Sequence, residues 1–162
     1  MKIIIIFLYL VISFSATSFS QNQWKSINYN YTINRPNFLS VSKQSKGNID
    51  VEFTNSEGTS FIINVSPRLA NEYKIDLTNY TRQMVEKELK TGNSKTNLTY
   101  FEKIKVDGHP AILYHYEQSP LKAIELFLFK GNLAFMITAT TSKENFDSHV
   151  HAFSSSIKSL KF

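Results

Sequence analysis

Cysteine is absent from the 162-residue sequence, glycine and proline are scarce, and only one run of apolar residues is long. The absence of Cys excludes disulfides, thiol chemistry and a lipid attached through Cys. Small secreted domains often depend on disulfides for their stability, so packing of a hydrophobic core must hold this chain together. A chain of this length can bury such a core in a single domain.

Clusters of basic residues are also missing. The formal net charge is +5, with 18 Lys and Arg against 13 Asp and Glu, but the basic residues are spread along the chain. Nucleic-acid-binding arms carry their Lys and Arg in runs or on one face, so we expect no nucleic-acid partner. The sequence has neither a Gly-rich phosphate loop nor a Gly-x-Ser-x-Gly nucleophile turn, so it gives no motif of a nucleotide-binding protein or of that hydrolase class.

The one long apolar run lies at the N-terminus. Lys2 precedes ten apolar residues over Ile3–Ile12, and small residues follow as far as Ser20. This order is typical of a secretory signal peptide, and the run is too short for a membrane-spanning helix, which needs about 20 apolar residues. We predict a signal peptide over 1–20, cleavage between Ser20 and Gln21, and a mature chain of about 142 residues without a membrane span. The predicted location is periplasmic or extracellular, and the lack of Cys favours a bacterial envelope or medium.

Alternating apolar and polar residues predict a sheet built largely of hairpins. Asp107-Gly108 and Gly131-Asn132 are two-residue turn signals, and each stands between two strand-like segments. The second of these hairpins is apolar on both faces, which a strand tolerates only where something covers each side of the sheet. The segments predicted as strands are Tyr29–Ile33, Asn48–Phe53, Ser60–Val65, Leu98–Val106, Pro110–Glu117, Ala123–Lys130 and Leu133–Thr140.

Two segments, 77–90 and 143–157, have the apolar spacing of amphipathic helices. The second begins after Ser142, a residue type that caps helices. The apolar stripes are Leu77, Tyr80, Met84, Val85 and Leu89 in the first segment and Phe146, Val150, Phe153 and Ile157 in the second. These helices can supply both covers of the sheet. The predicted fold class is therefore α+β, a mostly antiparallel sheet of about six strands sandwiched between two helices.

Four short motifs follow one another over nearly all of residues 29–162. They are Tyr31-x-Ile33-x-x-Pro36, Val106-Asp107-Gly108-His109-Pro110-Ala111, Leu133-Ala134-Phe135-Met136-Ile137-Thr138 followed by Phe146, and Ile157-x-x-Leu160. In order and spacing they resemble the opening strand, central hairpin, last strand with helix, and closing segment of the PsbP-like family, although Leu160 stands where an aromatic residue is usual. The resemblance implies an antiparallel sheet between helices, a fold shared with a Ran-binding nuclear transport factor and with bacterial envelope proteins such as DcrB.

The resemblance also bears on organisation and function. It implies a single PsbP-like domain over 29–162, and residues 21–28 before it are predicted to be a flexible lead-in. Family members are often exported and act as binding or assembly-helper proteins without a shared active site, so no binding residue can be carried across. We therefore predict an exported, non-catalytic protein that binds another protein or peptide as an assembly helper in the cell envelope.

Four His residues are the remaining candidates for a metal site. His149 and His151 lie two apart on a predicted helix and point about 200° away from each other, so they cannot hold one ion together. His109 lies beside the Asp107-Gly108 turn and His115 follows six residues later, with Glu102 or Asp107 as the candidate further ligands. A metal site needs three or four converging ligands, and the sequence indicates no such set. We predict neither a metal nor a cofactor.

Aromatic residues supply the candidate partner surface. Their alternation in the predicted strands assigns most of them to the core, but Tyr is favoured at interfaces. The candidate surface is Tyr100, Tyr114 and Tyr116 together with His115. The alternative function is a small-ligand binder or a hydrolase that uses a cleft beside hairpin 98–117, with Glu102 and His115 as a candidate acid–base pair.

Overall fold

A computed structural model describes residues 22–162, apart from the side chains of residues 43–46. The predicted signal peptide and its cleavage site between Ser20 and Gln21 lie outside the described residues, so both stay predictions. Within the described part of the chain, nine strands form two antiparallel sheets. The strands are β1 (Gln23–Lys25), β2 (Thr32–Asn34), β3 (Ser40–Lys46), β4 (Ile49–Thr54), β5 (Ser60–Pro67), β6 (Asn97–Val106), β7 (His109–Gln118), β8 (Leu121–Lys130) and β9 (Leu133–Ser142).

The large sheet has seven strands in the order β3-β4-β5-β9-β8-β7-β6, and all neighbours are antiparallel. Five hairpins, β3–β4, β4–β5, β6–β7, β7–β8 and β8–β9, join neighbours along the chain. At the β6–β7 turn, Asp107 and Gly108 both have positive φ, 48° and 81°, as a two-residue hairpin turn requires. Both predicted hairpins are confirmed. β5 pairs with the distant β9 from Ser60↔Thr140 to Pro67↔Leu133 and joins the two halves of the sheet.

Among residues 22–162, two helices and two short 3₁₀ turns accompany the strands. The turns span Glu72–Lys74 and Leu77–Asn79, and the helices are α1 (Arg82–Gly92) and α2 (Lys143–Lys158). The predicted helix over 77–90 is therefore divided, because Tyr80 is extended and Thr81 caps α1 by accepting a hydrogen bond from the Met84 amide. The prediction for α2 is confirmed, including its cap, where the Ser142 hydroxyl accepts from the Asn145 amide.

One face of the large sheet, called the α2 face, packs against α2. Its core is fully buried, and the small β1–β2 sheet closes one end, with Trp24 edge-on to Phe53 at 5.9 Å between ring centroids. The Tyr31 hydroxyl there donates to the buried Asp50 carboxylate at 2.6 Å. The largest fully buried side chains of this core are those of Tyr31, Phe53, Phe61, Phe135 and Phe153.

The opposite face, called the α1 face, is covered by α1 and the 3₁₀ turns over β6 and β7. Cross-strand partners point to the same side of a sheet, so the registers place Ile62, Met136, Thr138 and Thr140 on the α1 face of β5 and β9, where they are partly exposed. The second cover is thus smaller than the sheet that it covers. Met84, which the sequence pattern assigns to the buried stripe of this helix, is 43% exposed.

The fold class predicted from sequence is confirmed, with two differences in detail. The large sheet has seven strands rather than about six. The predicted strand Tyr29–Ile33 overlaps β2 of the small sheet instead, and β3, a polar segment, forms a strand at the edge of the large sheet. The predicted lead-in over 21–28 contains strand β1, whose Trp24 pairs with Ile33 and packs on the core. A single aromatic residue in a polar segment is a weak sequence signal, but here it anchors the segment.

Candidate functional site

The four residues predicted as a partner surface lie on both faces of the sheet, three of them on β7 and Tyr100 on β6. Successive side chains of a strand alternate, so Tyr114 and Tyr116 lie on the α1 face and His115 lies on the α2 face. Tyr100 pairs with His115 across β6–β7 and joins it there. The structure therefore brings these residues together as two pairs on opposite sides.

On the α2 face, the pair Tyr100 and His115 stacks with 4.6 Å between ring centroids. The Tyr100 hydroxyl donates to the Glu102 carboxylate at 2.6 Å, which raises the pKa of Tyr100. Burial, assisted by the charge of Lys122, lowers the pKa of His115, and within residues 22–162 its Nε2 atom is buried without a hydrogen-bond partner. Glu102 and His115, the predicted acid–base pair, are not hydrogen-bonded to each other in the described chain. Glu102 accepts a hydrogen bond from Tyr100 instead.

On the α1 face, Tyr114 and Tyr116 surround a buried carboxyl group, that of Glu125 on β8. Glu125 is 9% exposed, the Tyr114 hydroxyl donates to its Oε1 atom, and the Thr138 hydroxyl donates to its Oε2 atom at 3.3 Å. Burial raises the pKa of Glu125. Burial also raises the pKa of Tyr116 to about 12, with the nearby Glu125 carboxyl as the next cause. The two tyrosines thus form a polar cluster inside a mainly apolar layer.

Helix α1 brings a second carboxyl group to this cluster. The Tyr80 hydroxyl donates to the Oε1 atom of Glu88, and burial together with this hydrogen bond raises the pKa of Tyr80. Glu88 is exposed on the helix, but its charge contributes to the raised pKa of Glu125. Glu88 and Glu125 therefore lie close enough to repel each other when both are ionised.

A groove, here called the Tyr116 groove, runs along this edge of the α1 face. It consists of two pockets of about 380 Å³ and about 350 Å³ whose walls share Tyr116 and Gln118. The first is lined also by Glu88, Leu89, Gly92, Asn93 and Thr96, and the second by Ser119, Pro120, Leu121, Lys122, Ala123 and Thr140. Exposed apolar groups such as Leu121, at 42%, alternate with amides and hydroxyls, so the lining suits an extended segment of mixed character.

One residue that lines the groove, Tyr116, and its buried neighbour Tyr114 were named from the sequence, but Glu88 of the lining and Glu125 behind it were missed. Glu125 lies within the apolar segment Ala123–Lys130, and the single carboxylate in that segment is the signal that could have identified it. Its position opposite Tyr114 follows from the register of β7 and β8. Glu88 carried no sequence signal, because an exposed Glu on an amphipathic helix is ordinary.

Metal and membrane features can be assessed for the described residues only. Among residues 22–162, no group of three or more His, Asp or Glu side chains could hold a metal ion. No helix in that part of the chain is long and apolar enough to cross a membrane. His149 packs instead on the aromatic ring of Phe38, with 4.4 Å between ring centroids.

No protein-family model matches the chain, and no curated protein is significantly similar to it in sequence. Solved structures are similar to it in fold. A cyanobacterial PsbP (CyanoP) from Synechocystis sp. PCC 6803 superposes with a TM-score of 0.65 at 15% identity, covering 86% of this chain and 90% of that one. LpqN of Mycobacterium tuberculosis, described as involved in cell envelope biogenesis, gives 0.56 at 11% identity, covering 82% of each chain. PA94 of Pseudomonas aeruginosa, a putative regulator of unknown function, gives 0.52 at 16% identity, covering 86% of this chain and 95% of that one.

These likenesses concern the fold. They confirm the PsbP-like arrangement that the sequence motifs predicted, an antiparallel sheet with helices on its two faces. The residues of the Tyr116 groove are read from this chain alone, because identities of 11% to 16% carry no residue roles across.

Proposed function

We propose that this chain of PsbP-like fold is an exported, non-catalytic protein of the cell envelope that binds a protein or peptide segment in the Tyr116 groove. The observation that carries the proposal is the groove itself. Its two adjoining pockets share Tyr116 and Gln118 and combine apolar and hydrogen-bonding walls. Tyr is enriched where proteins bind each other because its ring is apolar and its hydroxyl can hydrogen-bond.

The fold and the N-terminal sequence support the envelope role. LpqN, a protein of similar fold, is described as involved in cell envelope biogenesis. The predicted signal peptide over 1–20 would deliver the chain across the membrane to the envelope or the medium. An assembly helper must hold its client reversibly, and a groove with exposed walls allows the client to enter and leave.

A small-ligand binder or hydrolase remains the second candidate, and one observation favours it. Glu125 is a buried carboxyl group of raised pKa beside a groove, and such groups are enriched in active sites. Glu102, the carboxylate named from the sequence, lies on the other face of the sheet. A hydrolytic activity of the purified protein that disappears in Glu125→Gln would favour this candidate.

Site-specific photo-crosslinking in the producing cells tests the proposed function. A photoreactive residue at Gln118, which lines both pockets, should give one discrete protein adduct. The matched control carries the same residue at Asp147, exposed on α2 at the opposite side of the sheet. The adduct should be absent from the control and strongly reduced when Tyr116→Ala is added. Equal adducts at both positions, or none at Gln118, would contradict binding in the groove.

A further inference from the structure

The larger pocket of the Tyr116 groove is built on the C-terminal turn of helix α1. Leu89, Gly92 and Asn93 of that turn and its cap line the pocket. The last carbonyl groups of a helix have no partner within it and carry partial negative charge, so this end of a helix favours cations. The pocket is therefore negative in character before any charged side chain is considered.

The carboxyl group of Glu88 adds to this negative character, and the buried carboxyl group of Glu125 lies close by. Glu88 lines the same pocket, and Glu125 lies behind its shared wall residue Tyr116. In the part of the chain that the structure describes, neither group forms an ion pair with Lys or Arg. The walls of this pocket include no Lys or Arg, although the formal net charge of the chain is +5 and Lys90 lies in the last turn of the same helix.

The cation of the neighbouring pocket does not compensate these groups. Lys122 lines the smaller pocket, but its ammonium group forms an ion pair with Glu117 at 2.9 Å and lies 5.3 Å from the ring of Phe146 on α2. It therefore points to the α2 face. The negative pocket on the α1 face is left with room of about 380 Å³.

The remaining walls of this pocket match a long side chain with a charged head. Leu89 and the ring of Tyr116 offer apolar surface, and Asn93, Thr96 and Gln118 offer hydrogen-bond acceptors. Lys and Arg have this composition, an apolar stem that packs on carbon atoms and a cationic head that seeks oxygen. An aromatic ring beside the head adds a cation–π attraction.

We propose that this pocket binds a Lys or Arg side chain of the partner segment. The inference rests on the proposed function and adds the chemistry of the partner, which must present a basic residue to the end of α1 while its neighbours lie along the groove. Glu88 is the principal acceptor for the cation, because it alone of the two carboxyl groups is exposed.

An NMR titration with side-chain mimics tests the inference. Butylammonium and N-butylguanidinium are added at constant ionic strength, and the backbone amides of Gly92, Asn93, Tyr116 and Gln118 are followed. Saturable shifts are expected at these amides. Glu88→Gln keeps an acceptor for the Tyr80 hydroxyl but removes the charge, and it should weaken binding about tenfold or more, since contacts to charged groups are the strong ones. Glu86→Gln is the matched control, because Glu86 has the same charge on the same helix but pairs with Arg82 at 3.0 Å; it should bind as the wild type does.

The inference is overturned if Glu86→Gln and Glu88→Gln weaken binding equally, if no saturable shift occurs in the groove, or if calcium chloride shifts the same amides while both organic cations do not. These outcomes are separate from those of the crosslinking experiment. A partner crosslinked at Gln118 without any binding of the mimics would retain the proposed function and reject a basic anchor. Saturable binding of the mimics without a crosslinked partner would do the reverse.

Discussion

The carboxyl group of Glu125 is buried in the layer between the sheet and its smaller cover, where a negative charge is destabilised. Its two oxygens accept hydrogen bonds from the hydroxyls of Tyr114 and Thr138, and burial raises its pKa. A buried carboxyl group favours its neutral form because the low-dielectric surroundings penalise the ion. The folded state therefore holds the Glu125 proton more tightly than the unfolded chain does.

Unfolding as a function of pH gives a prediction for this residue. Below the ordinary pKa of Glu, both states are protonated and the raised pKa contributes its full stabilisation. As pH rises through the ordinary pKa towards the raised one, the unfolded chain loses the proton first and the folded state is destabilised. Wild-type stability, measured by urea denaturation, should fall over this range relative to Glu125→Gln, which has no proton to lose.

Glu117 provides a comparison of opposite sign. Hydrogen bonds from Lys143 and Lys122 lower its pKa, so its contribution is present above the ordinary pKa of Glu and lost as pH falls through the lowered one. As pH rises, the wild type should therefore gain stability relative to Glu117→Gln and lose stability relative to Glu125→Gln. A constant offset between Glu125→Gln and wild type at all pH values would contradict the account of Glu125.

At the level of single residues, the candidate surface was placed on strands β6 and β7 from the sequence, but residues from both faces of the sheet were treated as one surface. Alternation along β7 already implies that His115 points away from Tyr114 and Tyr116. Whether a side chain on either face contacts a helix, lines a groove or faces solvent depends on where α1 ends over the sheet. The position of α1 is set by tertiary packing. Glu125 was hidden for the same reason, because only the register of β7 with β8 reveals the tyrosine opposite it.

At the scale of elements, the break before α1 shows how local hydrogen bonds override apolar spacing. The side chain of Asp76 accepts from the Thr78 amide, and Thr81 caps α1 three residues before Met84. Such side-chain bonds compete with helix formation and favour turns and caps. Sequence periodicity continued through this segment without interruption, so the predicted helix began too early. The Ser142 cap of α2 was predictable because a capping residue type and the start of the apolar stripe marked the same helix boundary.

The unequal covers of the sheet give a second prediction. Phe135 lies on the α2 face and is 0% exposed, whereas Phe127 lies on the α1 face and is half-buried. Phe135→Ala should lower the free energy of unfolding by about 3–5 kcal/mol. Phe127→Ala should cost roughly half as much, because its ring loses less contact with protein on removal.

Urea denaturation of both variants checks this difference. The two substitutions remove the same atoms from neighbouring strands, so each serves as the control for the other. Equal losses of stability would mean that the α1 face is closed as firmly as the α2 face, and two unaffected variants would contradict a two-sided core altogether.

For the whole molecule, processing at the N-terminus is the prediction that the described residues leave untested. Intact-mass analysis of protein recovered from the cell envelope or the medium should give a chain that begins at Gln21, because small residues precede it after a short apolar run. A recovered chain that retains Ile3–Ile12 would contradict export with cleavage. Cytoplasmic protein from cells blocked in secretion is the control, since it should retain Met1.

The overall architecture was predictable wherever neighbours in the sheet are neighbours in the chain. The β6–β7 and β8–β9 hairpins followed from their turn residues, and the apolar faces of the second hairpin predicted two covers. The pairing of β5 with β9 was not predictable in this way, because about 80 residues separate Ser60 from Thr140 and no local signal records such a contact. The resemblance to the PsbP-like family agreed with the fold predicted from these patterns, whereas the proposed chemistry of the partner depends on the assembled groove.

The pairing of β5 with β9 has a consequence for the order of events when the chain is made. A polypeptide leaves the ribosome or a translocation channel with its N-terminus first, so β3, β4 and β5 appear well before β9. Until then, Phe61, Ile63 and Val65 of β5 have no neighbouring strand on one side. We expect the nascent chain to stay unfolded and dependent on chaperones until its last quarter emerges, since the contacts of longest sequence separation are formed last. Because β5 pairs with β9 so late, the chain remains unfolded and able to pass through a narrow channel for almost its entire length.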